Sequence, residues 1–420
     1  MVRRVLPCCL FVLLGVPLEG NTSEGVAALK TRAQYYDYSY SKSRNFREAP
    51  YNLEFQYRSK MYDDWLGLDF HAYTTGLAKG LSSQDDDRGY VGNNVGGDGE
   101  TISNIGVFYL KSQFDLGNGK LRLGAGKNRR FYKLYNEDPI RIVNTAGRAI
   151  DFDYQVGSTH YYGMFMDKFQ ALATGDYLND MYGHDGTKIS LLALLGTKGQ
   201  FKDLDYQFEY SNALDFLQRS YFSLGYDVPA LSSNVQLTGV NVFGAGDKFT
   251  LDNVDSGYVA ITTQTELSAT TKLKMSAYQL YGGDMYQFTG QVGSTARVMM
   301  HHTILAGEVP LFEDERAYYV NLHQDFSQVL WPGLSGYVQG MWSENAKGFD
   351  DYKRWEVVSQ VSQDFGQWMP ALKGLRLTYW IHNHRVNGQD NGYRDGKVSN
   401  LYLFEDMTFN KFTLDYTLRF

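Results

Sequence analysis

Three things are scarce in these 420 residues, and each scarcity excludes something. Cysteine occurs only as Cys8 and Cys9, at the very start; the rest of the chain can build neither a disulfide scaffold nor a thiolate metal site. No apolar run approaches the ~18 to 20 residues that a membrane-spanning helix requires. Nor is there a basic surplus: 40 Lys and Arg stand against 47 Asp and Glu, a formal charge of −7, and a nucleic-acid footprint needs the opposite balance. Proline is held to 8 residues, whereas Tyr (33), Phe (25) and Gly (43) are abundant. That mixture favours β-strands punctuated by glycine turns.

The opening segment MVRRVLPCCLFVLLGVPLEG sets Arg3 and Arg4 ahead of an apolar stretch from Val5 to Leu18, with small residues around Gly20 to Ala28. This is the layout of an export signal. Cleavage after Gly20, with Ala27 as the alternative, is expected to leave residues 21–420 as a single domain free of cysteine, which suits passage through an oxidising periplasm.

From there to the end, segments of about ten residues alternate apolar and polar side chains with a period of two, a pattern that signals barrel strands when it recurs. In YNLEFQYRSK, Tyr51, Leu53, Phe55 and Tyr57 alternate with Asn52, Glu54, Gln56 and Arg58. After the tight turn MYDD, Leu66, Leu68, Phe70 and Ala72 oppose Gly67, Asp69, His71 and Tyr73. The chain ends on KFTLDYTLRF, with Phe412, Leu414, Tyr416, Leu418 and Phe420 on one face and Lys411, Thr413, Asp415, Thr417 and Arg419 on the other. In lipid, strands satisfy every backbone amide only by closing on themselves. The expected fold is therefore all-β, a transmembrane antiparallel β-barrel of about 18 strands, with both termini at one end. Long connectors (SSQDDDRGYVGNNVGGDGE and residues 128–148, 284–311 and 387–397) are expected at the outer end, and short turns such as DLGNG at the other. Polar strand faces that persist along the whole chain argue against a soluble sandwich.

Several blocks carry a resemblance: YNLEFQYRSKMYDDWLGLDFHAYTTGLAKG, RSYFSLGYDVP, SGYVAITTQTELSATTKLKMSAYQLYGGDMY, YYVNLHQDFSQVLWPGLSGYVQGMWSENA and LKGLRLTYWIHNHR. The chain resembles the OprD family of outer-membrane porins of Gram-negative bacteria, including its chitoporin branch, and the strand–PGL–strand arrangement around Pro332, Gly333 and Leu334 is the most specific piece. The resemblance implies a substrate-selective diffusion channel rather than an enzyme. It implies an 18-stranded barrel, often monomeric with a trimer as the alternative, whose third outer loop folds into the pore. It also implies outer-membrane lipids and lipopolysaccharide as surroundings, and a terminal Phe420 resembling the signal that the outer-membrane assembly machinery reads.

On that resemblance, NRRFYKLYNEDPIRIVNTAGR supplies the constriction, with Arg129, Arg130, Phe131, Tyr132, Tyr135, Arg141 and Arg148 as candidate residues. Cations and aromatics inside a narrow polar channel focus potential where solutes pass. Parity along the strands assigns Arg32, Tyr36, Tyr38, Arg58, Asn321, His323, Arg376, Trp380 and His382 to the lumen wall. Amino-acid-selective members of the family line one wall with an arginine ladder; the matching strand here keeps only Arg376. Trp380, Tyr36 and Tyr38 instead offer faces on which sugar rings stack, so short oligosaccharides such as chito-oligosaccharides are the first expectation for cargo. Small carboxylates or basic amino acids are the alternative.

Other chemistry is thin. No Walker A, Rossmann, GxSxG, HExxH or EF-hand motif occurs. His382 and His384 share a strand face at metal-ligand spacing, but no third ligand is evident. His301 and His302, near Asp284 in a long outer loop, are the one hint of a surface hydrolase. The run Asp85 to Asp87 is a solvated loop or a cation-bridging patch. No cofactor is expected.

Overall fold

A computed structural model describes residues 25–41, 45–78, 83–84, 101–135, 142–143, 145–170, 175–182, 187–245, 255–284, 312–392 and 406–420. The expected export signal, Asp85 to Asp87, Arg141, His301 and His302 lie outside these residues. The principal sheet has 20 strands; two, Phe46–Glu48 and Ser83–Gln84, are short additions, and the remaining 18 form the wall. In chain order these are β1 Val26–Tyr40, β2 Pro50–Arg58, β3 Leu66–Leu77, β4 Ile102–Leu116, β5 Gly119–Asn128 and β6 Ala146–Val156. Next come β7 Thr159–Gln170, β8 Leu192–Phe201, β9 Leu204–Ala213, β10 Leu217–Val228, β11 Ser233–Gly244 and β12 Ser256–Glu266. The last six are β13 Thr271–Gly282, β14 Arg316–Asp325, β15 Leu334–Glu344, β16 Phe349–Asp364, β17 Leu375–Asp390 and β18 Met407–Arg419.

Each strand pairs antiparallel with the next. The wall closes where β1 meets β18, in register from Ala28 opposite Arg419 to Tyr40 opposite Met407. Phe420 extends that ladder, exchanging backbone hydrogen bonds with Ala27 at 3.0 and 3.2 Å. Both described termini and the tight turns lie at one end of the barrel (the turn end), and the long connectors lie at the other (the loop end).

Side chains are distributed inside-out relative to a soluble protein. On β2, Leu53 and Phe55 are exposed outward while Asn52, Glu54 and Gln56 are buried inward. On β14, Tyr318, Val320 and Leu322 face out, and Tyr319, Asn321 and His323 face in, as the alternation predicted. An exposed apolar outer face around a closed wall is what a bilayer requires. Aromatic pairs brace it, with Tyr379 on Phe412 at 4.2 Å and Tyr318 on Trp342 at 5.5 Å.

Two features depart from the expectation. Connectors 171–191 and 245–255 also lie at the loop end, and the strand pattern did not announce them. The inner face, expected to be polar throughout, turns apolar near the loop end, where Met164, Met166, Leu192, Leu194, Tyr221 and Val240 form one cluster with Leu134, Met181, Phe216 and Phe312. The connectors that enter the barrel need an apolar surface to pack on, and this part of the wall provides it.

Glycines shape the inner surface at two places. The side chains of Tyr109 and Tyr162 cover Gly124 and Gly196, where an added Cβ would fall 1.6 Å from the Tyr109 hydroxyl oxygen and 2.5 Å from the Tyr162 ring. Aromatic cover over a strand glycine keeps the wall thin while preserving apolar contact. Gly124→Val is therefore expected to lift Tyr109 off the wall at a cost of about 1–3 kcal/mol. Thermal unfolding in detergent, followed by the mobility of the unboiled protein on a gel, should show a lowered midpoint; an unchanged midpoint would mean that the ring is not held there.

Candidate functional site

Residues 129–145 connect β5 to β6 and form the third connector at the loop end. Instead of projecting from the rim, the described residues 129–135 of this loop 3 turn into the barrel and form a crossbar between β2 and β9. Its start is tied to β2, where Arg129 Nη2 donates to Glu54 Oε1 at 3.0 Å, and His71 Nδ1 on β3 lies 3.4 Å from the same oxygen. Its next turn is tied to β9, where the Glu209 carboxylate accepts the backbone N–H groups of Lys133 (3.1 Å) and Leu134 (2.8 Å). Tyr132 stacks on Tyr162 of β7 at 5.6 Å, with the rings 8° from parallel. Leu134, fully buried, plugs into the apolar cluster of the inner wall. The returning limb packs Val143 against Tyr73 and Ile102.

Residues 175–177 of the next connector lie against β4 and β5 beside the start of this crossbar. Asn104 Nδ2 on β4 donates to the carbonyls of Gly175 (3.2 Å) and Asp176 (2.9 Å). The buried Lys127 ammonium donates to the carbonyls of Ile105 (2.5 Å) and Tyr177 (2.8 Å). The Gln170 amide donates to the Tyr73 hydroxyl. These bonds tie residues 175–177 to β4 and β5 and join β7 to β3.

Against the crossbar lies a cavity of about 460 Å³. Phe131 and Tyr132 border it from the loop, Tyr109 and Tyr162 from the wall, and Lys111, Arg122, Asp151, Asp153, Lys198 and Gln207 give it polar walls. Burial lowers the affinity of the Lys133 ammonium for its proton, an effect that Glu209 opposes and Lys198 reinforces. Burial, with Asp151 adding to it, raises the Tyr132 hydroxyl far above the ordinary phenol range, so it stays protonated as a donor.

The sequence-derived candidates divide into those that reach the pore and those that do not. Arg129, Phe131 and Tyr132 lie on the crossbar, with Phe131 55% exposed. Arg130 does not face solute: it is 4% exposed, and its guanidinium is taken up by Asp151 (2.6 Å) and by the carbonyls of Asn128 (3.0 Å) and Gly147 (2.7 Å). Tyr135 is fully buried. Arg148 is a correction. It sits on β6 just before a register shift, half-exposed and paired with Asp167, which shares the strand face of the outward-pointing Phe165. Arg148 shares the strand face of the exposed Ile150, so alternation along β6 places it outside.

On the lumen wall, Arg32 pairs with Asp415 at 2.6 Å, which confirms the inward direction of Asp415. Tyr36, only 2% exposed, stacks against Tyr38 (6.1 Å) and Phe409 (5.8 Å), and Lys411 lies over both Tyr36 (4.8 Å) and Trp380 (4.9 Å). Arg58 is exposed at the turn end. Asn321 donates to Gln339 at 3.2 Å, His323 is half-buried beside it on the same face, and Arg376 stands 3.7 Å from Asp364. His382 and His384 are buried on either side of Glu356, at 3.2 and 3.9 Å. Among the described residues, no three of His, Cys, Asp and Glu converge as metal ligands.

Sequence reasoning missed Glu54, Glu209, Tyr109, Arg122 and Lys198. The signal for Glu209 was present, since it lies on the polar face of LDYQFEYS beside Gln207. Only tertiary structure shows what that face meets.

A closed 18-stranded antiparallel barrel is an architecture that solved structures share. OccAB4 of Acinetobacter baumannii superposes with a TM-score of 0.76 at 15% identity, over 94% of this chain and 98% of that one. OpdK of Pseudomonas aeruginosa, solved with vanillate, gives 0.73 at 14% over 94% and 99%. OccK3 (OpdO) of the same bacterium gives 0.68 at 17% over 94% and 96%. At these identities the likeness establishes the fold of the OprD/Occ porins. No protein-family model and no curated protein sequence matches the chain.

Proposed function

We propose that this protein is an outer-membrane porin of a Gram-negative bacterium that lets small solutes diffuse through its lumen, with a preference for small carboxylates. The observation that carries the preference is a charge imbalance on the inner face of β1–β6. The inward carboxylates of β2–β6 each have a basic neighbour: Glu54 has Arg129, Asp69 has Lys111, Asp151 has Arg130, Asp153 has His160, and Asp115 stands opposite Lys120. Lys30, Arg58 and Arg122 make no ion pair among the described residues, and although Lys30 and Arg122 stand opposite Glu54 and Asp153, the basic side chains of this stretch outnumber its carboxylates. Lys30 lies within electrostatic reach of Glu54 and of Arg129, Arg58 and Arg32. Unmatched charge of one sign in a low-dielectric channel raises the local concentration of the opposite ion.

The oligosaccharide expectation rested on free aromatic faces. Tyr36, Tyr38 and Trp380 have much of theirs covered by one another, by Phe409 and by Lys411, which favours the carboxylate reading. One structural neighbour, OpdK, was solved with vanillate, a carboxylate. Liposome swelling compares the two cargoes directly. A small carboxylate should enter faster than a neutral sugar of similar mass, and faster entry of the sugar would overturn the preference.

A further inference from the structure

Glu209 is buried completely on the inner wall, yet among the described residues it has no cation within ion-pair distance. Its two oxygens instead receive four donors: the backbone N–H groups of Lys133 (3.1 Å) and Leu134 (2.8 Å), the Tyr162 hydroxyl (2.8 Å) and Gln207 Nε2 (3.0 Å). Two of these belong to the wall and two to the crossbar. Consecutive backbone N–H groups converging on one carboxylate act as a small anion-binding nest, with the anion here supplied by the protein itself. The neighbouring contacts point the same way, since Tyr132 stacks on the Tyr162 ring whose hydroxyl serves Glu209, and Leu134 fills the apolar recess beside it.

We propose that Glu209 is the positioning residue that clasps residues 131–135 of loop 3 to the inner wall and so sets how far they stand into the lumen. The inference rests on the channel reading, and it adds a residue that touches no solute and acts only through the loop. Without the clasp, residues 131–135 keep a stacking contact and a plug but lose the bonds that fix their height in the lumen. Charge loss and clasp loss separate cleanly, because Glu209→Ala and Glu209→Gln remove the same charge, whereas the glutamine oxygen still accepts one loop N–H.

The test records single channels of the full barrel in planar bilayers alongside trypsin cleavage at Lys133, located by mass spectrometry, with folding verified by the mobility of unboiled protein. Glu209→Ala is expected to raise conductance about twofold or to switch among levels, and to be cut at Lys133 about tenfold faster than the wild type, with Glu209→Gln between them in both assays. Equal changes in the two variants would mean that lumen charge, not the clasp, is responsible, and wild-type behaviour in both would also overturn the proposal. If Glu209→Ala does not fold, Glu209→Gln decides alone: wild-type cleavage at Lys133 overturns the clasp. A wild-type protein that conducts no current contradicts the channel reading instead, and the cleavage arm still judges Glu209.

Discussion

Glu54→Ala should destabilise the barrel by about 3 kcal/mol, the scale on which removing one partner of a buried ion pair strands the other. The Glu54 carboxylate is 7% exposed and Arg129 is 18% exposed. Deleting the acid leaves a guanidinium in a confined wall beside His71, with the loop 3 end of the crossbar untied. Because most of the penalty is the stranded charge, Glu54→Ala combined with Arg129→Met should recover much of the loss, although neither change restores the tie. The temperature at which the unboiled gel band converts to the unfolded one reports both variants. If the single and double variants melt alike, Arg129 does not depend on Glu54.

Replacing Lys30, Arg58 and Arg122 together with glutamine should raise the concentration of a small carboxylate that halves the ionic current by about fivefold. Two unit charges at about 4 Å interact by ~1 kcal/mol in water and more strongly in a partly dry lumen, and ~1 kcal/mol is about a fivefold change in occupancy. These three side chains have no ion pairs to lose among the described residues, so the variant should fold as the wild type does. An unchanged blocking concentration would remove the cations from the account of selectivity.

Much of this architecture was legible in the sequence because a barrel strand has only two faces and lipid penalises the wrong one. YNLEFQYR and the terminal KFTLDYTLRF give correct inward and outward sets, down to Asp415 pointing in at Arg32 while Phe412 and Leu414 remain exposed outward. Parity failed where the backbone broke its own period. Gly126, at φ +125°, sits beside the buried Lys127, whereas Arg148, assigned to the constriction with its loop, follows the outward face of Ile150. Alternation gives no answer where both faces are apolar, as in THYYGMFMDKFQ, whose Tyr162, Met164 and Met166 line the lumen rather than lipid. Alternation reports polarity, and an inner wall that receives a loop has the polarity of a core.

The candidate site was less legible for a related reason. The composition of loop 3 pointed to cations in a constriction, but the fate of each cation depends on its nearest acceptor. Arg130 finds carbonyls and Asp151 in the wall, whereas Arg129 reaches across to β2. Glu209 is an ordinary strand glutamate until the crossbar is set against it.

The most direct measurement of the central claim is the reversal potential of the wild-type protein in a planar bilayer separating two concentrations of potassium chloride. Discrete conductance steps with a reversal potential displaced toward the chloride equilibrium value are predicted. A displacement toward the potassium value would contradict the anion-preferring lumen, and the absence of any step would contradict the channel itself.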